Sequence, residues 1–170
     1  MDIRVAGIVK NSIVDGPGIR YTVFAQGCVH NCEGCHNKHT HDFSGGYLTQ
    51  VDVIIDDIKK DPLLDGVTFS GGEPFEQVKA FSRLAGLIQS ECDSFVFPRV
   101  ICYTGYTFEE LYGKPDTHIL LEKVDVLIDG RFELEHKSLN RRLKFRGSKN
   151  QRVIDSKESV KCGKAIEISF

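Results

Sequence analysis

The chain has 170 residues, 41% of them hydrophobic and 27% charged, with a formal net charge of -2. These proportions fit one soluble domain around a single core, and so small a charge gives no global reason to expect nucleic acid or a membrane as partner. No stretch approaches the roughly 18 continuous apolar residues of a spanning helix, and no basic N-terminal region leads into a long apolar run, so neither an anchor nor an export signal is expected.

The expected location is therefore the cytoplasm, where the six cysteines are more readily reduced thiols or metal ligands than disulfides. Cys92, Cys102 and Cys162 are far apart in sequence and read as small buried hydrophobes.

In chain order, "RYTVFAQG" is β-rich and runs into a cysteine loop. After the Ser44-Gly45-Gly46 turn, Thr49 and Asp52 have the spacing of a capping box. Val51, Ile54, Ile55 and Ile58 recur at helical spacing, and Asp61-Pro62 ends that helix. "DGVTFS" is a short buried strand and "GGEP" a turn, with Pro74 suited to a first helical position. Phe75, Val78, Phe81, Leu84, Leu87 and Ile88 form the inner stripe of a second helix. "FVFPRVICYTGY" predicts a strand, "TFEELY" a short helix, "KVDVLIDGRF" a strand ending at Asp129-Gly130, and "AIEISF" an edge strand.

Alternating strands and helices predict an α/β fold with a mainly parallel sheet over a single domain, residues 1–170. A complete eight-fold barrel takes about 250 residues. A curved sheet in this chain would therefore be an incomplete barrel, open on one side. "QGC", "SGGEP", "YTGY" and "IDGRF" all fall at predicted strand ends, where the chemistry of such sheets gathers.

The cysteine loop, "AQGCVHNCEGCHNKHTH", holds Cys28, Cys32 and Cys35 at spacing C-x3-C-x2-C. A structural zinc site closes with four protein ligands, and His30, His36, His39 or His41 could supply the fourth. A four-iron cluster held by three thiolates instead keeps one iron open for a substrate or cofactor. Both readings stand on spacing alone.

The triplet, followed by "SGGEP" after a second strand, resembles the signature of the radical S-adenosylmethionine (SAM) enzymes. That resemblance implies a [4Fe-4S] cluster on Cys28, Cys32 and Cys35. The open iron would chelate the amino and carboxylate groups of SAM, and one electron would split the sulfonium to give a 5'-deoxyadenosyl radical. It also implies contacts with SAM from Gly34, Cys35 and His36, and from Ser70, Gly71, Gly72 and Glu73, the second group at the SAM ammonium. Many members carry an aromatic residue where this chain has Gly34, which leaves backbone contact there. No catalytic residue beyond cluster and SAM is implied.

The further strings "VDGPGIR", "GCVHNCEGCHN", "YTGY", "VLIDGRF" and "RGSKNQRVID" together resemble the small activases of anaerobic (class III) ribonucleoside-triphosphate reductase. That family implies an oxidoreductase that generates a glycyl radical on the large reductase subunit, with a reduced flavodoxin-like protein as electron donor. Three alternatives stay open: an activase of another glycyl radical enzyme, a small metabolite-modifying enzyme like the 7-carboxy-7-deazaguanine synthases, and a non-catalytic zinc or electron-transfer module. "DGPG" also reads as a tight turn and Asp129 as the start of another. Arg141, Arg142, Lys144 and Arg146 are a basic run, either a solvated face or a docking site for an acidic patch.

Overall fold

A computed structural model of the protein describes residues 1–137 and 144–170. Arg141 and Arg142 of the basic run lie outside the described residues. Seven strands form one sheet: β1 (Asp2–Ser12), β2 (Arg20–Ala25), β3 (Tyr47–Gln50), β4 (Gly66–Gly71), β5 (Val100–Tyr103), β6 (Val126–Asp129) and β7 (Arg152–Asp155), in the order β3-β1-β2-β4-β5-β6-β7. The four central strands, β2, β4, β5 and β6, are parallel. Antiparallel pairings bracket them, β3 with β1 and β1 with β2 on one side, β6 with β7 on the other. The expected parallel sheet is thus its centre only.

Among the described residues, five α-helices accompany the sheet: α1 (Val51–Lys59), α2 (Val78–Glu91), α3 (Phe108–Tyr112), α4 (His118–Leu121) and α5 (Ser156–Cys162). Strand residues alternate between two faces. One face carries Tyr21, Val23, Val67, Phe69, Val100, Cys102 and Leu127, which share a core with Ile54, Ile55 and Ile58 of α1 and with Phe81, Leu84 and Ile88 of α2. These residues belong to the helical stripes read from the sequence, but Phe75, expected on the second stripe, lies in a 3-10 turn before α2, and Val78 and Leu87 are only partly buried. Phe69 meets Phe81 edge to face at 4.9 Å.

Among the described residues, no helix covers the other face. A small apolar group, Ile101, Val126, Ile128 and Val153, covers part of it together with Phe145, Ile168 and Phe170. The rest is polar and is covered by the "DGPG" turn. Asp15 accepts hydrogen bonds from Ser12 and Thr22, and its carbonyl accepts one from Thr68. Beneath the turn Arg20 is 1% exposed. Its guanidinium donates to Thr68 Oγ1 at 2.9 Å, to the Pro98 carbonyl at 2.8 Å and to the Val67 and Arg99 carbonyls.

Three expectations are corrected. Thr49 caps nothing: it pairs with Ile3 in the β1–β3 ladder, and α1 starts after Gln50 without a side-chain cap. "AIEISF" forms no strand, only a single bridge from Ile154 to Glu167. Cys162 is exposed at the last turn of α5, unlike the buried Cys92 and Cys102. The capping box that does form is Thr107–Glu110, at the start of α3.

Candidate active site

Because β2, β4, β5 and β6 run in one direction, the loops after them meet at one end of the sheet. There a cavity of about 460 Å³ is lined by Cys28, Cys32, Cys35, His36, Asn37 and His41 from the loop after β2. Ser70, Gly71 and Gly72 line it after β4, Tyr103, Thr104 and Gly105 after β5, and Gly130 and Phe132 after β6. Phe145, Arg146, Gly147 and Gln151 complete it, with Val14 and Asp15 of the "VDGPGIR" string and His30 of the cysteine loop. The volume is that of a small-molecule or cofactor site. Most residues singled out in the sequence are therefore brought together. Gly34 and Glu73 are not among the lining residues.

The turn geometry explains the glycines. Gly71 has φ +92°, and a Cβ on Gly72 would lie 2.4 Å from the Gly27 carbonyl oxygen, so two loops touch backbone to backbone. Gly34 has φ +71°, a backbone conformation that disfavours any side chain, and a Cβ there would meet the flexible end of Leu134 at 2.9 Å.

All three loop cysteines are free and half-buried. Burial pushes the Cys28 and Cys32 thiols up, a tendency that metal coordination opposes because the ligand is the thiolate. The Asn37 backbone N–H donates to Cys35 Sγ at 3.4 Å, and His36 packs on Phe132 with ring centres 5.2 Å apart. Among the described residues, no group of three or more His, Cys, Asp or Glu side chains is arranged to hold a single metal ion. Three free thiols lining one cavity are the donor set that would hold a four-iron cluster and leave one iron open.

Glu73 is fully buried. Its carboxylate accepts from the Phe75 N–H at 3.0 Å, the Gly105 N–H at 2.9 Å, the Thr104 hydroxyl at 2.9 Å and His30 Nε2 at 2.7 Å. Tyr106 stands edge-on to the His30 ring, centres 4.4 Å apart.

Asp129, 1% exposed, accepts from the Phe108 N–H at the start of α3 at 2.7 Å and takes Arg152 on both oxygens. Arg152 also reaches Glu109, and its guanidinium holds the Glu109 carboxyl below the usual carboxylate range. The turn assigned to Asp129 is thus an ion-pair anchor beneath the cavity floor. Replacing Arg152 with methionine strands a buried carboxylate. About 3 kcal/mol of stability is expected to be lost, read as a lower urea midpoint at unchanged slope.

On the far wall Tyr103 donates to the Phe145 carbonyl at 2.8 Å and holds Phe145 at φ +60°, rare for a bulky residue. Gln151 accepts from the Gly147 and Ser148 N–H groups and donates to the Gly130 carbonyl. Arg146 donates to the Gln151 carbonyl at 3.1 Å, while its buried Nε has no partner. It forms no ion pair with a carboxylate among the described residues. Arg146 thus belongs to the cavity wall, whereas Lys144 is exposed. The strings "YTGY" and "RGSKNQRVID" pointed to this wall, but no periodicity or spacing in them showed that Tyr103 and Gln151 brace it.

This end of the sheet defines an iron–sulfur protein of the single-cluster type: the family model described as "4Fe-4S single cluster domain" matches residues 14–154. Curated relatives sharpen the class. The anaerobic ribonucleoside-triphosphate reductase-activating protein of Vibrio cholerae is 38% identical over 82% of this chain and 89% of its own length. Those of Escherichia coli K12 and Enterobacteria phage T4 are 35% and 31% identical, over 83% and 86% of this chain and 91% and 90% of their own lengths. The chain belongs to the family of anaerobic ribonucleoside-triphosphate reductase-activating proteins. A crystal structure of QueE from Escherichia coli aligns at TM-score 0.46 and 16% identity, over 63% of this chain and 54% of that one.

Proposed function

We propose that the chain is a radical SAM activase that generates a glycyl radical on anaerobic ribonucleoside-triphosphate reductase. The observation that carries this reading is one cavity lined both by the three free thiols and by the backbone of Ser70-Gly71-Gly72. Cys28, Cys32 and Cys35 would hold the [4Fe-4S] cluster, and the cavity beside them would take SAM. Bound there, cluster and SAM together supply the one-electron cleavage by which a glycine of the reductase loses hydrogen.

The chain's own residues bind and orient. Gly71 and Gly72 let backbone approach the cofactor, and the rings of His36 and Phe132, both lining the cavity, offer contact to its adenine. Arg146 supplies the cavity with a guanidinium suited to a carboxylate. Val14 on the cavity rim and Val29 and Leu134 beside the cysteine loop are large, apolar and exposed, which supports a protein rather than a metabolite as substrate.

The sheet supports an incomplete barrel in one domain of residues 1–170. Its edge strands β3 and β7 lie at opposite ends of the strand order, and its large helices share one face. No helix among the described residues is long and apolar enough to cross a membrane. Free cysteines support the reducing cytoplasm. The flavodoxin-like donor rests on the family resemblance.

The test is anaerobic. Reconstituted protein, SAM, a reductant and the reductase are expected to give a glycine-centred doublet by electron paramagnetic resonance. Deoxyadenosine without the doublet, in the presence of competent reductase, would overturn the assigned substrate. Replacing Arg146 with methionine is expected to weaken SAM binding by about tenfold, with lysine recovering part of it, as equilibrium dialysis on cluster-loaded protein would report.

A further inference from the structure

Glu73 has the wrong surroundings for a residue that binds a ligand with its carboxylate. A carboxylate offers roughly four lone-pair positions. Here four donors meet it, the Phe75 and Gly105 N–H groups, the Thr104 hydroxyl and His30 Nε2, all within 3.0 Å. The residue is fully buried and faces the protein, not the cavity. No acceptor position remains for an ammonium from outside.

The most telling of the four donors is His30, midway between Cys28 and Cys32 in the cysteine loop, with its side chain 3% exposed. The residue lines the cavity, and two neighbours hold its ring there: Tyr106 meets it edge-on at 4.4 Å, and a Cβ on Gly105 would lie 2.3 Å from it. The first of these contacts is itself supported, since Tyr106 OH donates to Glu76 at 2.7 Å. The Glu73 carboxylate thus ties three segments at one buried point: the cysteine loop through His30, its own turn after β4 through Phe75, and the turn after β5 through Thr104 and Gly105.

We propose that His30 and Glu73 act as one clamp that fixes the cysteine loop against the ends of β4 and β5, and that Glu73 is a positioning residue rather than a contact of the SAM ammonium. The ammonium is left to the backbone carbonyls of Ser70, Gly71 and Gly72, which line the cavity. This inference rests on the cluster-and-SAM reading of the site. Groups that orient metal ligands in this way typically change metal affinity or activity by about ten- to a hundredfold when removed.

A double-mutant cycle on anaerobically reconstituted protein tests it, with three readouts: the rate at which a chelator strips iron, the spectrum of the reduced cluster, and SAM affinity by equilibrium dialysis. His30→Ala and Glu73→Gln are each expected to speed iron loss by about tenfold or more and to alter the reduced spectrum. The double variant is expected to be no worse than the more severe single one, because either change opens the same clamp. His30→Gln, whose amide can take the place of Nε2–H, is expected to restore the wild-type rate and spectrum.

The proposal is overturned if Glu73→Gln weakens SAM binding while leaving iron retention and spectrum unchanged, since the carboxylate would then be touching the cofactor. It is overturned equally if the two substitutions add. Should Glu73→Gln not fold, Thr104→Val removes one donor to the same carboxylate and is expected to shift the spectrum in the same direction; no shift overturns the clamp. Wild-type protein that takes up no cluster would refute the underlying reading instead, so the two failures are distinct.

Discussion

Single replacement of Cys28, Cys32 or Cys35 by alanine is expected to abolish deoxyadenosine formation and to lower iron and sulfide content by about a hundredfold or more at limiting iron. The size follows from what thiolates contribute. Binding energies of about 10–16 kcal/mol for zinc fingers are shared among four ligands, so each is worth several kcal/mol. A cluster with only three protein thiolates has none in reserve. The rest of the fold is expected to survive, because the three side chains are half-exposed in a loop and belong to neither buried apolar cluster. Cys102→Ala is the contrasting control. Cys102 is fully buried on the helix-covered face, where burial pushes its thiol well up, so it is inert as a ligand. That variant is expected to keep its iron and to lose about 1 kcal/mol of stability. Full iron in any of the three loop variants would remove the ligand assignment.

Arg20→Met is expected to cost about 3–5 kcal/mol of folding stability, the largest loss from any single polar side chain outside the cavity. Two effects oppose each other. Burial pulls the guanidinium pKa down to about 10, which disfavours the charged form by roughly 3 kcal/mol. Against this stand four hydrogen bonds from a cation, each worth about 1.5–3 kcal/mol, to Thr68 and to the Val67, Pro98 and Arg99 carbonyls. The bonds win, and with a pKa still far above neutral the group stays charged. Methionine fills the space but leaves those acceptors, Thr68 Oγ1 among them, without their cationic donor. A fall of about 10 °C or more in melting temperature is expected for a chain of this size. An unchanged melting temperature would show that the turn covers the sheet without needing its anchor.

Much of this was legible in the sequence where a pattern repeats. Val51, Ile54, Ile55 and Ile58 announced α1 because burial on one helical face imposes that spacing, and all four are buried. The four strand ends "QGC", "SGGEP", "YTGY" and "IDGRF" foretold a shared site because parallel neighbours end together. What escaped had no local signal. The β1 strand alternates weakly, with several residues half-exposed, and owes its existence to pairing with β2 and β3. The β7 strand is only four residues long and lies within a string whose chemistry drew the eye. Thr49 has good capping chemistry, but its backbone was claimed by a partner strand 46 residues away in sequence, Ile3. Glu73 sits in a motif that suggests a ligand, yet three of its four donors come from His30, Thr104 and Gly105, which are distant in sequence and converge only after folding.

The strand order carries a consequence for assembly. After β4, each new strand is laid beside the one made just before it, so the sheet then grows in a single direction as the chain lengthens. Glu73 and Thr104, which meet the cysteine loop through His30, are in place once β4 and β5 have docked, and Phe132 follows with β6, whereas the wall formed by Phe145, Arg146 and Gln151 arrives with β7. During synthesis, which proceeds from the N-terminus at about 5–20 residues per second, iron would meet a site still open on its late side. Biogenesis and cofactor delivery thus share a timetable written into the topology: metal can enter first, and the pocket that receives the second cofactor is finished last.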